Sequence, residues 1–84
     1  MFRIEFSNQA SKFLKKSEKE ISKRIIKKIE ELKQEPVLHD SKSLFEKDYF
    51  RVGVGKYRIL YKAEIKNKII LVSKIDKRGR VYKD

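Results

Sequence analysis

Apolar and polar residues alternate at the start of the chain and then take up a helical spacing. Residues 2–6 carry Phe, Ile and Phe at every second position between charged side chains, which is typical of a half-buried strand. Ser7 or Asn8 can cap a helix that follows, because apolar residues then fall at i, i+3 and i+4. We therefore expect a first strand and a short helix that ends near Lys16.

A second helical segment follows directly. Ser17 and Glu20 have the S-x-x-E spacing of a capping box, which predicts that this helix begins there. Apolar residues at helical spacing form one stripe along it: Ile21, Ile25, Ile26, Ile29 and Leu32. Pro36 disfavours helical backbone in the residue before it, so the helix is expected to end near Glu35. The two helices are predicted to form a hairpin with one apolar side.

The second half of the chain has the composition of strands. Residues 37–48 show no clear period, and the remainder is rich in Val, Ile, Tyr and Phe. Three segments are predicted to be strands, at residues 49–54, 56–64 and 68–76. Short connections between them favour an antiparallel meander, and residues 78–82 provide an optional short fifth strand. The prediction is a single α+β domain over residues 1–84, with the order β-α-α-β-β-β and both helices packed on one face of the sheet.

The composition excludes several classes of protein. A chain of 84 residues has room for one hydrophobic core, and no apolar run approaches the roughly 20 residues that cross a bilayer. The N-terminal segment lacks the pattern of a secretory signal, so we expect a cytoplasmic protein. With no cysteine and one histidine, the sequence excludes disulfides, thiolate metal sites and histidine clusters. Any chemistry must use Lys, Arg, Tyr, Glu or Asp, and we expect no metal and no cofactor.

Positive charge is concentrated in the second half of the chain. The formal net charge is +11. Residues 1–48 hold 12 basic and 9 acidic side chains, a net charge of +3, whereas residues 49–84 hold 11 basic and 3 acidic side chains, a net charge of +8. An excess of this size attracts phosphate polymers through long-range fields. The natural partner is therefore expected to be a polyanion, and RNA is the first candidate.

Alternation along residues 56–64 separates a basic side of the predicted strand from an apolar side. Arg58 and Lys62 point to one side, while Ile59 and Tyr61 point to the other. Guanidinium groups bind phosphate oxygens through two donors, and tyrosine rings stack on bases, so such a sheet suits single-stranded RNA. A solvated charged sheet face has the same pattern, and these residues alone leave both interpretations open.

Two basic segments resemble motifs of one known family. The run RVGVGKYRILY at residues 51–61 resembles the R-x-R-V-G-x-Y-R-x-x-Y run of the RelE/ParE toxin superfamily. The run KRGRVY at residues 77–82 is similar to that family's closing H-R-x-x-V-Y element. The order of elements and the chain length match as well, so the resemblance covers nearly the whole chain. Within the superfamily, the chain resembles RelE-type mRNA interferases more than ParE.

The resemblance implies a function and its partners. A RelE-like protein is the toxin of a type II toxin–antitoxin system, enters the ribosomal A site and cleaves the mRNA there by attack of a ribose 2′-hydroxyl. The products are a 2′,3′-cyclic phosphate and a 5′-hydroxyl, and no metal is needed. The expected partners are an acidic cognate antitoxin, the ribosome and mRNA, with no membrane and no small-molecule cofactor.

The resemblance also implies roles for individual residues. Arg58 matches the arginine that contacts the phosphate and would stabilise the transition state. Arg78 would be a second phosphate ligand or a proton donor, and Tyr82 would orient or deprotonate the 2′-hydroxyl or stack on a base. These three are the candidate catalytic residues. The remaining basic residues of the two motifs are candidate RNA-binding or phosphate-binding residues: Arg51, Lys56, Lys77 and Arg80.

The chain departs from the family pattern at two positions, which keeps other functions open. Gly53 replaces the second basic residue of R-x-R, although Lys56 can supply charge nearby, and Lys77 replaces the histidine of the closing element. One alternative is a ParE-like protein that inhibits DNA gyrase without being a nuclease. Another is an inactive basic module that binds RNA or the ribosome, which the missing cation at Gly53 would favour.

Overall fold

Two α-helices and a mixed β-sheet make up residues 1–44 and 47–77, which are the residues described by the structure, a computed structural model. The elements are β1 (Arg3–Phe6), α1 (Asn8–Lys16), α2 (Lys19–Gln34), β2 (Lys42–Ser43), β3 (Tyr49–Val54), β4 (Tyr57–Glu64) and β5 (Ile69–Lys77). The strand order is β1-β5-β4-β3-β2. β1 runs parallel to β5, and every other pair is antiparallel. The predicted α+β fold with two helices on the sheet is confirmed.

The two helices begin differently from each other. The Ser7 hydroxyl caps α1, since it accepts a hydrogen bond from the Ala10 N–H at 3.1 Å. The capping box predicted for α2 is wrong, because Ser17 closes the end of α1. Its hydroxyl donates to the Phe13 carbonyl at 2.7 Å, and α2 is capped instead by Glu18 without a side-chain hydrogen bond. The predicted end of α2 is confirmed, with Glu35 as its C-cap.

The three strands of the predicted meander are confirmed, with β4 and β5 each beginning one residue later than expected. Both reversals use left-handed backbone, at Gly55 with φ 59° and at Lys68 with φ 55°. β2 was not predicted, because a strand of two residues has no visible period. The optional strand at residues 78–82 lies outside the described residues.

One face of the sheet packs on the helices and forms the core. Among the residues that the structure describes, twelve apolar side chains are buried there: Ala10, Ile25, Ile29, Leu32, Val52, Val54, Ile59, Tyr61, Ala63, Ile70, Val72 and Ile75. The predicted stripe of α2 is confirmed at Ile25, Ile29 and Leu32, whereas Ile26 stays 38% exposed at its margin. No helix within residues 1–44 and 47–77 has the length and apolar character needed to cross a membrane.

Tyr61 joins the core to the segment between α2 and β2. Its side chain is fully buried, and its hydroxyl donates to the Pro36 carbonyl at 2.7 Å and lies 2.8 Å from the Ser41 hydroxyl. Burial raises the pKa of this hydroxyl above its usual value. The phenol therefore acts as a buried anchor for the segment that leads into β2.

The N-terminal end of α1 holds the last part of β5 in place. β1 ends at Phe6, opposite Val72, so it cannot pair with the later residues of β5. The Gln9 side chain takes over this role, donating to the Ile75 carbonyl at 2.8 Å and accepting from the Ile75 N–H at 2.9 Å. These two bonds satisfy the edge of β5 just before Asp76.

Candidate anion-binding site on the open face of the sheet

The helices leave one face of the sheet uncovered, and the strand register shows which side chains lie on it. Lys42 of β2 pairs with Arg51 of β3, Arg51 pairs with Leu60 of β4, and Leu60 pairs with Lys74 of β5. Directly paired residues project to the same side of a sheet. Four strands thus contribute one row across the open face, and three of its four members are cations.

Two neighbouring rows add further cations. Gly53, Arg58 and Asp76 form the row nearer the β3–β4 turn, while Tyr49, Lys62 and Leu71 form the row on the other side. The Lys62 ammonium nitrogen lies 5.7 Å from the centre of the Tyr49 ring, which is within reach of a cation–π interaction. We call the five basic residues of these three rows the cationic face: Lys42, Arg51, Arg58, Lys62 and Lys74.

The part of the open face near β1 carries both basic and acidic side chains. Arg3 and Glu5 of β1 form an ion pair of 3.1 Å, and Glu64 pairs in register with Ile69. Toward the cationic face, the carboxylate of Asp76 lies in the row of Arg58 and accepts a hydrogen bond from the Lys77 N–H at 2.7 Å. The positive excess therefore lies on the part of the open face that β2, β3 and β4 form together with Lys74 of β5.

Arg51 and Arg58 are the two sequence-predicted residues that the fold brings together. They lie on adjacent strands in neighbouring rows, and such diagonal neighbours are separated by roughly 7–8 Å. Both side chains are half-buried, so their stems rest on neighbouring residues. Two guanidinium groups at this separation can contact one phosphate group or two successive ones along a strand of nucleic acid.

Gly53 lies directly beside Arg58 across the two strands. A Cβ atom at Gly53 would lie 3.8 Å from Arg58 Nε and 3.9 Å from Arg58 Cδ, which is ordinary van der Waals contact. The Arg58 side chain thus extends over the position where the family motif has its second basic residue. A Cβ atom at position 53 therefore meets this side chain without a clash.

The other predicted residues occupy different places. Lys56 is exposed in the β3–β4 turn. Lys77 pairs with Tyr57, which lies on the helix side of the sheet and packs edge-on against Phe13 at 5.8 Å between ring centres. Lys77 accordingly lines an open cavity of about 510 Å³ with Phe13 and Tyr57, away from the cationic face. The candidate residues Arg78, Arg80 and Tyr82 lie outside the described residues.

Tyrosine contributes less to the open face than the composition indicated. Tyr61 is fully buried and Tyr57 lies on the helix side, so within residues 1–44 and 47–77 the open face carries only Tyr49. Sequence reasoning also missed Lys42 and Lys74. Lys42 lies on the unpredicted β2, and Lys74 follows an irregularity of β5 that a simple alternation does not reveal.

The chemistry of the site depends on fixed positive charge. The part of the chain that the structure describes has no group of three or more His, Cys, Asp or Glu residues that could hold a metal ion. Arginine stays protonated at any physiological pH and lysine is charged unless it is buried. The cationic face can therefore bind phosphate groups and stabilise negative charge that develops on them.

Comparisons with known proteins agree with this architecture. Residues 4–82 match the family model described as ParE toxin of type II toxin–antitoxin system, parDE. No curated protein sequence matches the chain at a significant level. Among solved structures, a chain of the archaeal RelE–RelB complex from Pyrococcus horikoshii OT3 is similar with a TM-score of 0.83 and 29% identity, covering 94% of this chain and 97% of that chain.

Two further structures share the fold. A chain of the intact Escherichia coli RelBE toxin–antitoxin complex matches with a TM-score of 0.83 at 19% identity, covering 92% of this chain and 96% of that chain. A chain of the RelB–RelE antitoxin–toxin complex from Methanococcus jannaschii matches with a TM-score of 0.73 at 27% identity, covering 94% of this chain and 95% of that chain. The similarity spans nearly the whole length of both partners in each comparison.

Proposed function

Because the chain belongs to the ParE toxin family of type II toxin–antitoxin systems and has the fold of RelE toxins, we propose that it is an endoribonuclease that cleaves mRNA in the ribosomal A site. The observation that carries this proposal is the pair Arg51 and Arg58, which lie in neighbouring rows of an uncovered, cationic sheet face. Two guanidinium groups in neighbouring rows can contact one phosphate group or two successive ones, which is the charge stabilisation that cleavage of a phosphodiester needs.

The proposed reaction needs charge stabilisation more than any other contribution. The 2′-oxygen forms a bond to phosphorus as its proton leaves, and the bond to the 5′-oxygen breaks as that oxygen gains a proton. Negative charge builds up on the phosphorane between these events, and Arg58, supported by Arg51, would stabilise it. Tyr82 would orient or deprotonate the 2′-hydroxyl, and Arg78 would hold the phosphate or supply the second proton.

The remaining cations would position the RNA strand. Lys42, Lys62 and Lys74 extend the cationic face on both sides of Arg51, and each can neutralise one phosphate group. Lys56, Lys77 and Arg80 are proposed as further phosphate ligands from the two sequence motifs. Contacts with phosphate groups fix the register of the RNA strand but carry no sequence information. Any sequence preference would then depend on the codon in the ribosome.

We also propose a cognate antitoxin as the partner of this chain in a cytoplasmic complex. The similar structures include RelE–RelB complexes, and this chain carries a net charge of +11. An acidic antitoxin would be attracted by this field and would lower the affinity of the cationic face for RNA. Copurification of the toxin with the product of an adjacent small open reading frame tests the pairing directly.

The cleavage proposal is tested with ribosomes programmed with a defined mRNA. The wild-type protein should produce cuts at codons in the A site, mapped by primer extension. Arg58→Ala should reduce the rate by about 10²–10³-fold, because one preorganised charge donor is lost. Lys66→Ala, an exposed lysine in the β4–β5 turn, is the matched control and should cut like the wild type. An Arg58→Ala protein that cuts at the wild-type rate would contradict the assigned role.

A ParE-like inhibitor of DNA gyrase is the second candidate, because the matching family model carries the ParE description. Inhibition of gyrase supercoiling with programmed mRNA left intact would replace the nuclease proposal. Arrest of translation at one toxin per ribosome, with no new RNA ends, would instead indicate a binding module without catalysis.

A further inference from the structure

The β3–β4 turn brings an arginine of the helical layer to the end of the sheet. Gly55 in this turn has a left-handed φ of 59°. A Cβ atom built on it would lie 2.5 Å from Arg24 Nη2 and 3.3 Å from Arg24 Cζ. The Arg24 guanidinium therefore rests against the turn backbone, in the space that any side chain at position 55 would need.

This location adjoins the cationic face. Gly55 and Lys56 form the turn that connects the Gly53 end of β3 to the Arg58 end of β4. Arg24 and Lys56 are both exposed, and they stand at the edge where an RNA strand lying along Arg51 and Arg58 would leave the sheet. Two additional cations are thus placed directly beyond the row that contains Arg58.

The donors of the Arg24 guanidinium are not used by any other residue that the structure describes. Within residues 1–44 and 47–77, none of the ion pairs and side-chain hydrogen bonds of the structure involves Arg24. The contact with Gly55 limits the positions of a planar group that has five N–H donors, so less conformational entropy is lost when it binds a phosphate. Lys56 of the same turn is a second exposed cation beside this position, and two cations without an acidic neighbour in the turn fit an anionic ligand.

We infer that Arg24 of α2 is a further phosphate-binding residue of this site, which holds the RNA strand where it passes over the β3–β4 turn. The choice of RNA as the ligand rests on the proposed function. In this position Arg24 compensates for the cation that is missing at Gly53, and it connects the helical layer to the open face of the sheet.

The test is the salt dependence of binding to a short single-stranded RNA oligonucleotide. Arg24→Gln should lower the slope of log affinity against log salt by about 0.7, the value for one phosphate contact with a single strand. Between 50 and 200 mM salt, its affinity should fall roughly threefold less than that of the wild type. Lys23→Gln removes the same charge from the neighbouring exposed position of α2 and should keep the wild-type slope.

A second variant separates the contact from the charge. Asparagine tolerates the left-handed backbone of this position, so Gly55→Asn should preserve the turn. The asparagine side chain fills the space that the Arg24 guanidinium occupies. Gly55→Asn should lower the salt slope of RNA binding as much as Arg24→Gln does. The double variant should have the same slope as Arg24→Gln alone, as expected for two changes to one contact. Circular dichroism and thermal unfolding verify that each variant is folded.

The outcomes distinguish this inference from the proposed function. If the wild type binds RNA with the predicted slopes but never cuts programmed mRNA, the nuclease proposal fails and the role of Arg24 stands. If Arg24→Gln keeps the wild-type slope, or Lys23→Gln lowers it equally, the role of Arg24 is overturned. The role is also overturned if Arg24→Gln binds an acidic antitoxin more weakly while its RNA binding is unchanged. A wild type that binds neither the oligonucleotide nor the ribosome would overturn it as well.

Discussion

The two faces of β4 divide stability and binding between alternate residues of one strand. On the helix side, Ile59, Tyr61 and Ala63 are at most 1% exposed, and they pack in the core. On the open side, Arg58 and Lys62 are half-buried and carry charge into the cationic face. Because the side-chain period of a strand is two, neighbouring residues serve different purposes. Mutations one residue apart are therefore expected to affect different properties.

A bulge in β5 extends this division to the next strand. The register shifts between Leu60 and Tyr61, and the Ser73 hydroxyl donates to the Leu60 carbonyl at 3.0 Å at this point. Before the shift, Val72 faces the helices, and after it Ile75 does. The extra residue turns Lys74 onto the open face, whereas unbroken alternation from Val72 would have placed it in the core.

The largest expected effect is on the helix side, at Ile59. Ile59→Ala leaves a cavity in a fully buried position and should lower the free energy of unfolding by about 2–5 kcal/mol. Leu60→Ala, at the half-buried neighbour on the open face, should cost clearly less. Urea unfolding measures both variants. Equal losses would show that the two faces do not differ as the burial indicates.

Tyr61→Phe tests the buried hydroxyl that anchors the segment before β2 on the helix side of the sheet. It removes the hydrogen bond to the carbonyl of half-buried Pro36, and the loss of this bond should cost about 0.5–1.5 kcal/mol of stability. RNA affinity at low salt should stay unchanged, because the phenol lies on the helix side. A variant that loses RNA binding while keeping its stability would contradict this division.

The pH dependence of the same residue follows from its burial. The pKa of Tyr61 is raised from 10.0 by desolvation in the folded state, so the folded chain holds this proton more tightly than the unfolded chain. Its contribution is complete below about pH 10 and is lost as the pH rises through the folded-state pKa. The stability difference between wild type and Tyr61→Phe should therefore narrow above pH 10, as urea unfolding at pH 8 and pH 11 would show.

The next effect concerns the open face, at the two cations that sequence reasoning missed. The double variant Lys42→Gln/Lys74→Gln should lower the salt slope of RNA binding by about 1.4, or two phosphate contacts. Its stability should change little, since both side chains are exposed. Lys12→Gln/Lys66→Gln, with the same loss of charge elsewhere, is the control. Equal slopes for the two double variants would mean that net charge alone determines binding.

The sequence predicted the elements better than the surface they form. The alternation of residues 56–64 was sufficient to predict β4, and the apolar stripe was sufficient to predict α2, because burial imposes a period on each element. The capping box failed, because one serine can serve the end of α1 or the start of α2, and only the packed hairpin decides between them. The meander itself was correct, since its turns are short.

The composition of the cationic face depended on register, which the sequence does not display. Arg51 and Arg58 were found through their motif, and the structure places them in neighbouring rows. Lys42 required the pairing of β2 with β3, and Lys74 required the bulge. Arg24 is distant in sequence from the β3–β4 turn, and only the packing of α2 brings it to Gly55.

The smallest expected effect is a gain, at the position where the family motif has a basic residue and this chain has glycine. Gly53→Lys places a cation directly opposite Arg58 and two residues from Arg51 on β3, in a space that accepts a Cβ atom at ordinary contact distance. The salt slope should steepen by about 0.7 for the added phosphate contact, and cleavage should rise with it. Without RNA, the new like-charge neighbour should reduce stability by up to about 1 kcal/mol.

Gly53→Gln is the matched control, because it adds a similar side chain without charge. It should keep the wild-type slope and show no loss of stability from repulsion. If Gly53→Lys and Gly53→Gln bind RNA with the same slope, the strand of RNA does not pass over position 53. The track of phosphates would then run along the row of Lys42, Arg51 and Lys74, and the Gly53 row would contribute only Arg58.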